Sequence, residues 1–282
     1  MWKSYLPHLF LYPFLESKGI VVNPAGRESL QQFLDLERSK RANVEEFFEY
    51  AWNNQNSFSD YPTAWNDLLR FGFLDPITRA MLAQFKDGAE WRSLQAGSLV
   101  SRVLSAGDLV VNLNYDTVFE MAVETAGKSI SYLPNFSSDH VMVAKPHGSV
   151  NLLVNERKQT FRFGRPQITG TVVPTSHDSL AGSILPPHLN KHYSQHPFAR
   201  IILDATLNFW PNELIFWGVG FTQSDLGLNA LYVRLATTAE FISVINPCNR
   251  TKEAASEITR RATLYFPSLD SWLKSRGLLS SD

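Results

Sequence analysis

The chain has one cysteine, Cys248, in 282 residues, no surplus of either charge, and no long apolar run. Each scarcity closes off a class of protein. A lone thiol cannot build a disulfide framework, nor can it supply a zinc site made of four cysteine thiolates. The 26 Lys and Arg residues are dispersed against 27 Asp and Glu, for a formal net charge of −1. No electrostatic footprint for nucleic acid or an anionic membrane results. A secretory signal and an apolar segment of the roughly 18 residues that a membrane helix needs are both missing, so the expectation is a soluble cytoplasmic protein. No internal repeat, low-complexity tract or clear linker is visible. What the chain does have is 44% apolar residues, enough to give one large domain a sizeable core.

The stretch around which the rest is organised is 108-DLVVNLNYDTVFEMAVETAG-127, answered by 145-KPHGSVN-151. Leu109 to Leu113 is apolar apart from Asn112, and Asn114-Tyr115-Asp116 comes directly after it. This reads as a buried strand carrying polar side chains at its carboxyl end. Thr117 to Ala126 is predicted to be a helix, with Asp116 at the N-cap position and Gly127 at its stop. The second stretch has the same grammar: strand Val141 to Ala144, then Pro146, then His147-Gly148-Ser149 turning the chain into the apolar run Val150 to Val154. Carboxyl ends of strands are where α/β proteins bind ligands. By residue type and spacing alone, Asn114 and His147 fit either turn chemistry or a site.

Upstream, Leu30 to Arg41 is an amphipathic segment, and Asn43 opens a helix with Glu46 in the capping-box position. Val44, Phe47, Phe48, Ala51 and Trp52 form one apolar stripe there, read as core. Residues 53–62 form a loop, and Asp75 to Phe85 and Trp91 to Ser105 are further predicted helices. Downstream, strands are expected at Ser129 to Leu133, Thr160 to Phe163 and Ile168 to Val173, with turns at Asn155 to Lys158 and Gly164 to Pro166. Two of these strands, joined by a hairpin, are expected as an antiparallel appendage. Helical spacing would align His188, His192 and His196, but no carboxylate or cysteine accompanies them, so an exposed loop or helix end is the reading preferred to a metal site.

Glu213 to Gly218 reads as a strand, turning through Gly218-Val219-Gly220-Phe221 into a helix over Asp225 to Ala236, with Asp225 as its N-cap. Bare glycines at a strand end let backbone approach a nucleotide. Phe241 to Ile245 is a further strand ending in Asn246-Pro247, and a helix from Lys252 to Thr263 comes next. Leu264 to Phe266 and Leu269 to Leu273 then pack as a final turn and helix. Strands and helices alternate in this half. The predicted class is therefore α/β, a doubly wound, mostly parallel Rossmann-like sheet with a helical subdomain. Residues 1–106 are expected to form the helical cover and 107–282 the nucleotide-binding core.

NLNYDTVFE, KPHGSVN, ILPPHLNK, LIFWGVGFTQSD and VINPCN occur in this order. Together they resemble the sirtuin-like (silent information regulator) superfamily, specifically its zinc-free NAD-hydrolase branch of bacterial anti-phage defence, from about Asn43 onward. The resemblance implies NAD as substrate, no zinc, and a homo-oligomer or a defence-system protein as partner. It implies Asn114 and His147 as catalytic residues, and Tyr115, Asp116, Gly148, Gly218, Gly220, Phe221 and Asn246 around the NAD. In that family a first strand ends in a glycine-rich phosphate turn. Trp2-Lys3 with Tyr5-Leu6 is similar to the segment just after that turn, so the chain is expected to begin downstream of it and to bind NAD more weakly. A misassigned start, a fragment and a decayed gene all fit. Leu113 and Tyr115 flank Asn114 where deacylases resemble a Gln-Asn-Ile-Asp pattern. An NAD glycohydrolase is therefore expected ahead of a nucleotide-sensing scaffold, and a deacylase last.

Overall fold

The computed structural model describes residues 99–149, 151–155, 158, 160–164, 185, 193, 196–222 and 225–279. The predicted helices at 30–41, 43–52 and 75–85 and the strand at 168–173 lie outside them, as do His188 and His192. The chain is an α/β protein in which strands and helices alternate and parallel pairing dominates. Strand β1 (Leu109–Val111) leads to helix α1 (Val118–Thr125), β2 (Ile130–Tyr132) and β3 (Val141–Ala144). These strands form one parallel sheet in the order β1-β3-β2. After it come β4 (Leu152–Asn155) and β5 (Thr160–Phe163), paired antiparallel. Helix α2 (Pro197–Thr206) precedes β6 (Glu213–Trp217), α3 (Leu226–Ala236), β7 (Phe241–Ile245), α4 (Arg250–Thr259), β8 (Leu264–Phe266) and α5 (Leu269–Ser275). The last three strands form a second parallel sheet, β6-β7-β8.

The reasons are local and then collective. All four residues of β3 are buried, which is why Val-Met-Val-Ala is an unbroken apolar run rather than an alternating one. One apolar core takes Met142 and Ala144 from β3, Phe198 and Ile202 from α2, Phe216 from β6, Leu228 and Leu231 from α3, and Ile242 and Val244 from β7. Burial of each large side chain there contributes roughly 1.5–3 kcal/mol. Both parallel sheets thus share that core. Trp272 and Leu273 of α5 close a second, smaller cluster against Ile245.

Several predicted boundaries shift. Helix α1 is capped at Thr117, not Asp116, although Asp116 Oδ1 accepts the Val118 N–H at 3.0 Å. Gly127 does leave the helix, at φ 79°. The helix predicted to run to Ser105 ends, among the described residues, at Ser101. Leu264 to Phe266 is a strand, not a turn, because it finds the open edge of β7 with Val244 opposite Tyr265. An antiparallel hairpin is present, but Thr160 to Phe163 pairs with Leu152–Asn155, Asn155 opposite Thr160, a segment that is not among the three strands expected to supply it. Helix α2 is absent from the sequence-based expectation: Pro197 sits at its start, where the missing N–H costs nothing, and His196 before it is extended.

Candidate functional site

The parallel register of β1 and β3 sets Val111 opposite Ala144. Three residues beyond each stand Asn114 and His147, so the two leading candidates leave the same end of adjacent strands. Gly148 comes next at φ 84°, a conformation other residues rarely adopt, and its N–H closes the turn onto the Lys145 carbonyl at 2.9 Å. That turn buries His147, which is 8% exposed. The Asn114 side chain, by contrast, lies at the surface.

Beneath the two residues is a buried ion pair. Lys145 Nζ lies 3.0 Å from Glu120 Oε1, and neither side chain is exposed to solvent. Charges can be buried only when paired and hydrogen-bonded. Asn112 Nδ2 donates to the Glu120 carboxylate at 3.1 and 3.2 Å. The Asn112 Oδ1 accepts the Asn114 N–H at 3.0 Å, and Lys145 Nζ donates to the Asp116 carbonyl. The loop that carries Asn114 is therefore tied to the ion pair on both sides of that residue. Tyr115 reaches outward, its hydroxyl donating to the Leu185 carbonyl at 2.7 Å. The Leu185 N–H donates in turn to the His147 carbonyl at 2.8 Å.

The His147 ring is held at both nitrogens. Nδ1 is 3.2 Å from the Leu113 carbonyl, on the peptide that leads into Asn114, and Nε2 is 2.9 Å from the Tyr193 hydroxyl. Tyr193 donates to the Asp225 carboxylate, whose oxygens lie at 3.0 and 3.1 Å. Burial and the neighbouring Asp225 charge push the Tyr193 phenol well above its ordinary range, so it keeps its proton. Asp225 also caps α3, accepting from the Leu228 N–H at 3.2 Å. The N-cap reading of Asp225 is correct, and the same carboxylate also belongs to the site. Tyr193, Lys145, Glu120 and Asn112 carry no periodic or spacing signal.

A second group lies at the carboxyl ends of β6 and β7. Gly218 turns the chain at φ 65° and donates to the Ile245 carbonyl at 2.9 Å; both Gly218 and Gly220 are exposed. Asn246 ties these strand ends together, its Nδ2 donating to the Val219 carbonyl at 3.3 Å and its Oδ1 accepting from the Cys248 N–H at 2.9 Å. Phe221 packs edge-on to Phe216 and Tyr232, with ring centroids 4.9 and 5.8 Å away. Asp225, four residues beyond Phe221, joins this group to the first. Phe119 of α1 also stands edge-on to Trp217 at the end of β6, 6.3 Å between centroids. Among the described residues no group of three or more His, Cys, Asp or Glu side chains could hold a metal ion. No helix among them is long and apolar enough to cross a membrane.

No protein-family model matches the chain, and no curated protein matches it. Its class is that of an α/β protein with mostly parallel sheets.

Proposed function

We propose that the chain is an NAD glycohydrolase of Rossmann-like type, cleaving the bond between nicotinamide and ribose to give nicotinamide and ADP-ribose, linear or cyclic, in anti-phage defence. The reading is supported chiefly by the β1–β3 register, which brings Asn114 and His147 to one strand end. Nicotinamide leaves a cationic pyridinium as a neutral base, so no strong general acid is required. The barrier lies in the oxocarbenium-like ribosyl centre, and the protein must orient the ribose and place an oxygen nucleophile. The Asn114 amide can both donate to and accept from ribose hydroxyls and a water. His147 removes a proton from that water or from a ribose hydroxyl. Gly218, Gly220 and Asn246 would take the rest of the dinucleotide at the neighbouring strand ends, with Tyr115, Asp116, Gly148 and Phe221 around it.

The test is nicotinamide release from NAD at micromolar protein. His147→Ala is expected to lower the rate about a hundred-fold or more, and Asn114→Ala to abolish release; an Asn114→Ala protein as fast as the parent sinks the assignment. A nucleotide-sensing module is the second reading, supported by the two protein bonds that already engage the His147 ring. Calorimetric NAD binding without release would select it.

A further inference from the structure

The bonds from His147 to Leu113 and Tyr193, and from Tyr193 to Asp225, constrain where the protons of this chain of groups lie. The Asp225 carboxylate only accepts, so the single Tyr193 hydroxyl proton, 3.0 and 3.1 Å from its two oxygens, is committed to it. The phenol oxygen is then left to accept, and Nε2, 2.9 Å away, must bring a proton of its own. At the other side of the ring the Leu113 carbonyl also only accepts. The form of the ring that satisfies the Tyr193 hydroxyl and the Leu113 carbonyl together is the imidazolium, with the Asp225 carboxylate as its counter-ion, 3.7 Å from Nε2. That is the form a base acquires once it has taken a proton.

We propose that Tyr193 and Asp225 are the positioning residues of His147: they fix Nε2 as a permanent donor, leave Nδ1 as the nitrogen that works, and stabilise the cation once Nδ1 is protonated. The step starts from the neutral ring, protonated at Nε2 alone, with the water or ribose hydroxyl taking the place of the Leu113 carbonyl at Nδ1: the proton passes from that oxygen to Nδ1, and the O–H electron pair stays on the oxygen. The Nε2 proton and the Tyr193 proton stay where they are. Nδ1 is the appropriate nitrogen because it faces the peptide leading into Asn114. The neighbouring groups agree with this assignment. Lys145 is paired with Glu120, and among the described residues Asp225 is the carboxylate whose charge acts on Tyr193, alongside the phenols of Tyr232 and Tyr115.

The fold makes room for this arrangement at Gly227, in the first turn of α3. A Cβ there would stand 2.7 Å from both Cδ2 and Cε2 of Tyr193. The helix is thus cut back to receive a phenol that Asp225, two residues earlier, binds.

The chemical use of the pair rests on the hydrolase reading, but the state of the ring does not, and the experiment separates them. The full chain is labelled with ¹⁵N-histidine and observed by NMR without NAD, with the His147 signals assigned by their loss in His147→Asn. Nicotinamide release is measured in parallel. In the parent, Nε2 is expected to carry a proton at every pH of the titration. In Tyr193→Phe and Asp225→Asn the ring is expected to lose its charge at lower pH than in the parent. Asp225→Asn keeps an acceptor for the Leu228 N–H, and Tyr193→Phe keeps the ring's shape, so either variant suffices if the other fails to fold. Both are expected to lower kcat about ten- to a hundred-fold, the scale for a partner that orients a working histidine, with KM little changed. A bare Nε2 in the parent overturns the proposal, as do variants that leave ring titration and kcat unmoved. Ring titrations that shift as stated, in a parent that releases no nicotinamide, uphold the pair and overturn the hydrolase reading.

Discussion

At the scale of single residues, the structure concentrates its demands on a few side chains that share one proton network. Gly227 shows how tight the fit is. Alanine is the better helix former by about 1 kcal/mol, and on propensity alone Gly227→Ala should stabilise α3. The methyl group would meet two ring carbons of Tyr193 at 2.7 Å, and that ring is held by both His147 and Asp225. Overpacking of this kind costs about 1–3 kcal/mol, so steric conflict outweighs propensity. Urea unfolding of Gly227→Ala is expected to show a net loss of stability, and its nicotinamide release to fall with that of Tyr193→Phe. A variant more stable than the parent would mean that the ring moves aside at no cost.

At the scale of elements, the buried ion pair joins α1 to the end of β3 and carries the Asn114 loop. Removing one partner strands the other charge in a site with no solvent, which costs about 3–5 kcal/mol. Lys145→Met alone is therefore expected to destabilise the chain by that amount. Adding Glu120→Gln should restore most of it, because the amide carries no charge and still accepts from Asn112. A double variant as unstable as the single one would refute the pairing. The individual elements are largely legible in the residues themselves. Val141 to Ala144 is an apolar run and Phe241 to Ile245 is apolar apart from Ser243; both are bounded by polar or proline-containing corners, and both are strands with those limits. Helix α2 is hidden because Pro197 sits after a histidine-rich polar stretch and reads as an end, although it stands at a beginning. Phe198, Ile202 and Thr206, all buried, carry the helical spacing that could have found it.

At the scale of the whole molecule, the site is less legible than the fold, and the reason is distance along the chain. His147 and Tyr193 are 46 residues apart, and Tyr193 and Asp225 are 32. No local pattern links positions so separated; parallel pairing and a common core bring them together. Burial raises the phenols of Tyr193, Tyr132 and Tyr232 above their ordinary value of 10.0. Above about pH 10 the unfolded chain loses those protons and the folded chain keeps them. Stability is thus fully present below that pH and falls as pH rises, by up to about 1.4 kcal/mol per pH unit for each tyrosine. The urea midpoint is expected to drop between about pH 10 and pH 11, less steeply in Tyr193→Phe, and equal slopes would refute the attribution. The Asp225 carboxylate serves the His147 ring through Tyr193 and caps α3 through the Leu228 amide. Opening of the first turn of α3 and loss of the ring's counter-ion are therefore one event, and the hydrogen-exchange rate of that single amide reads how often the site comes apart.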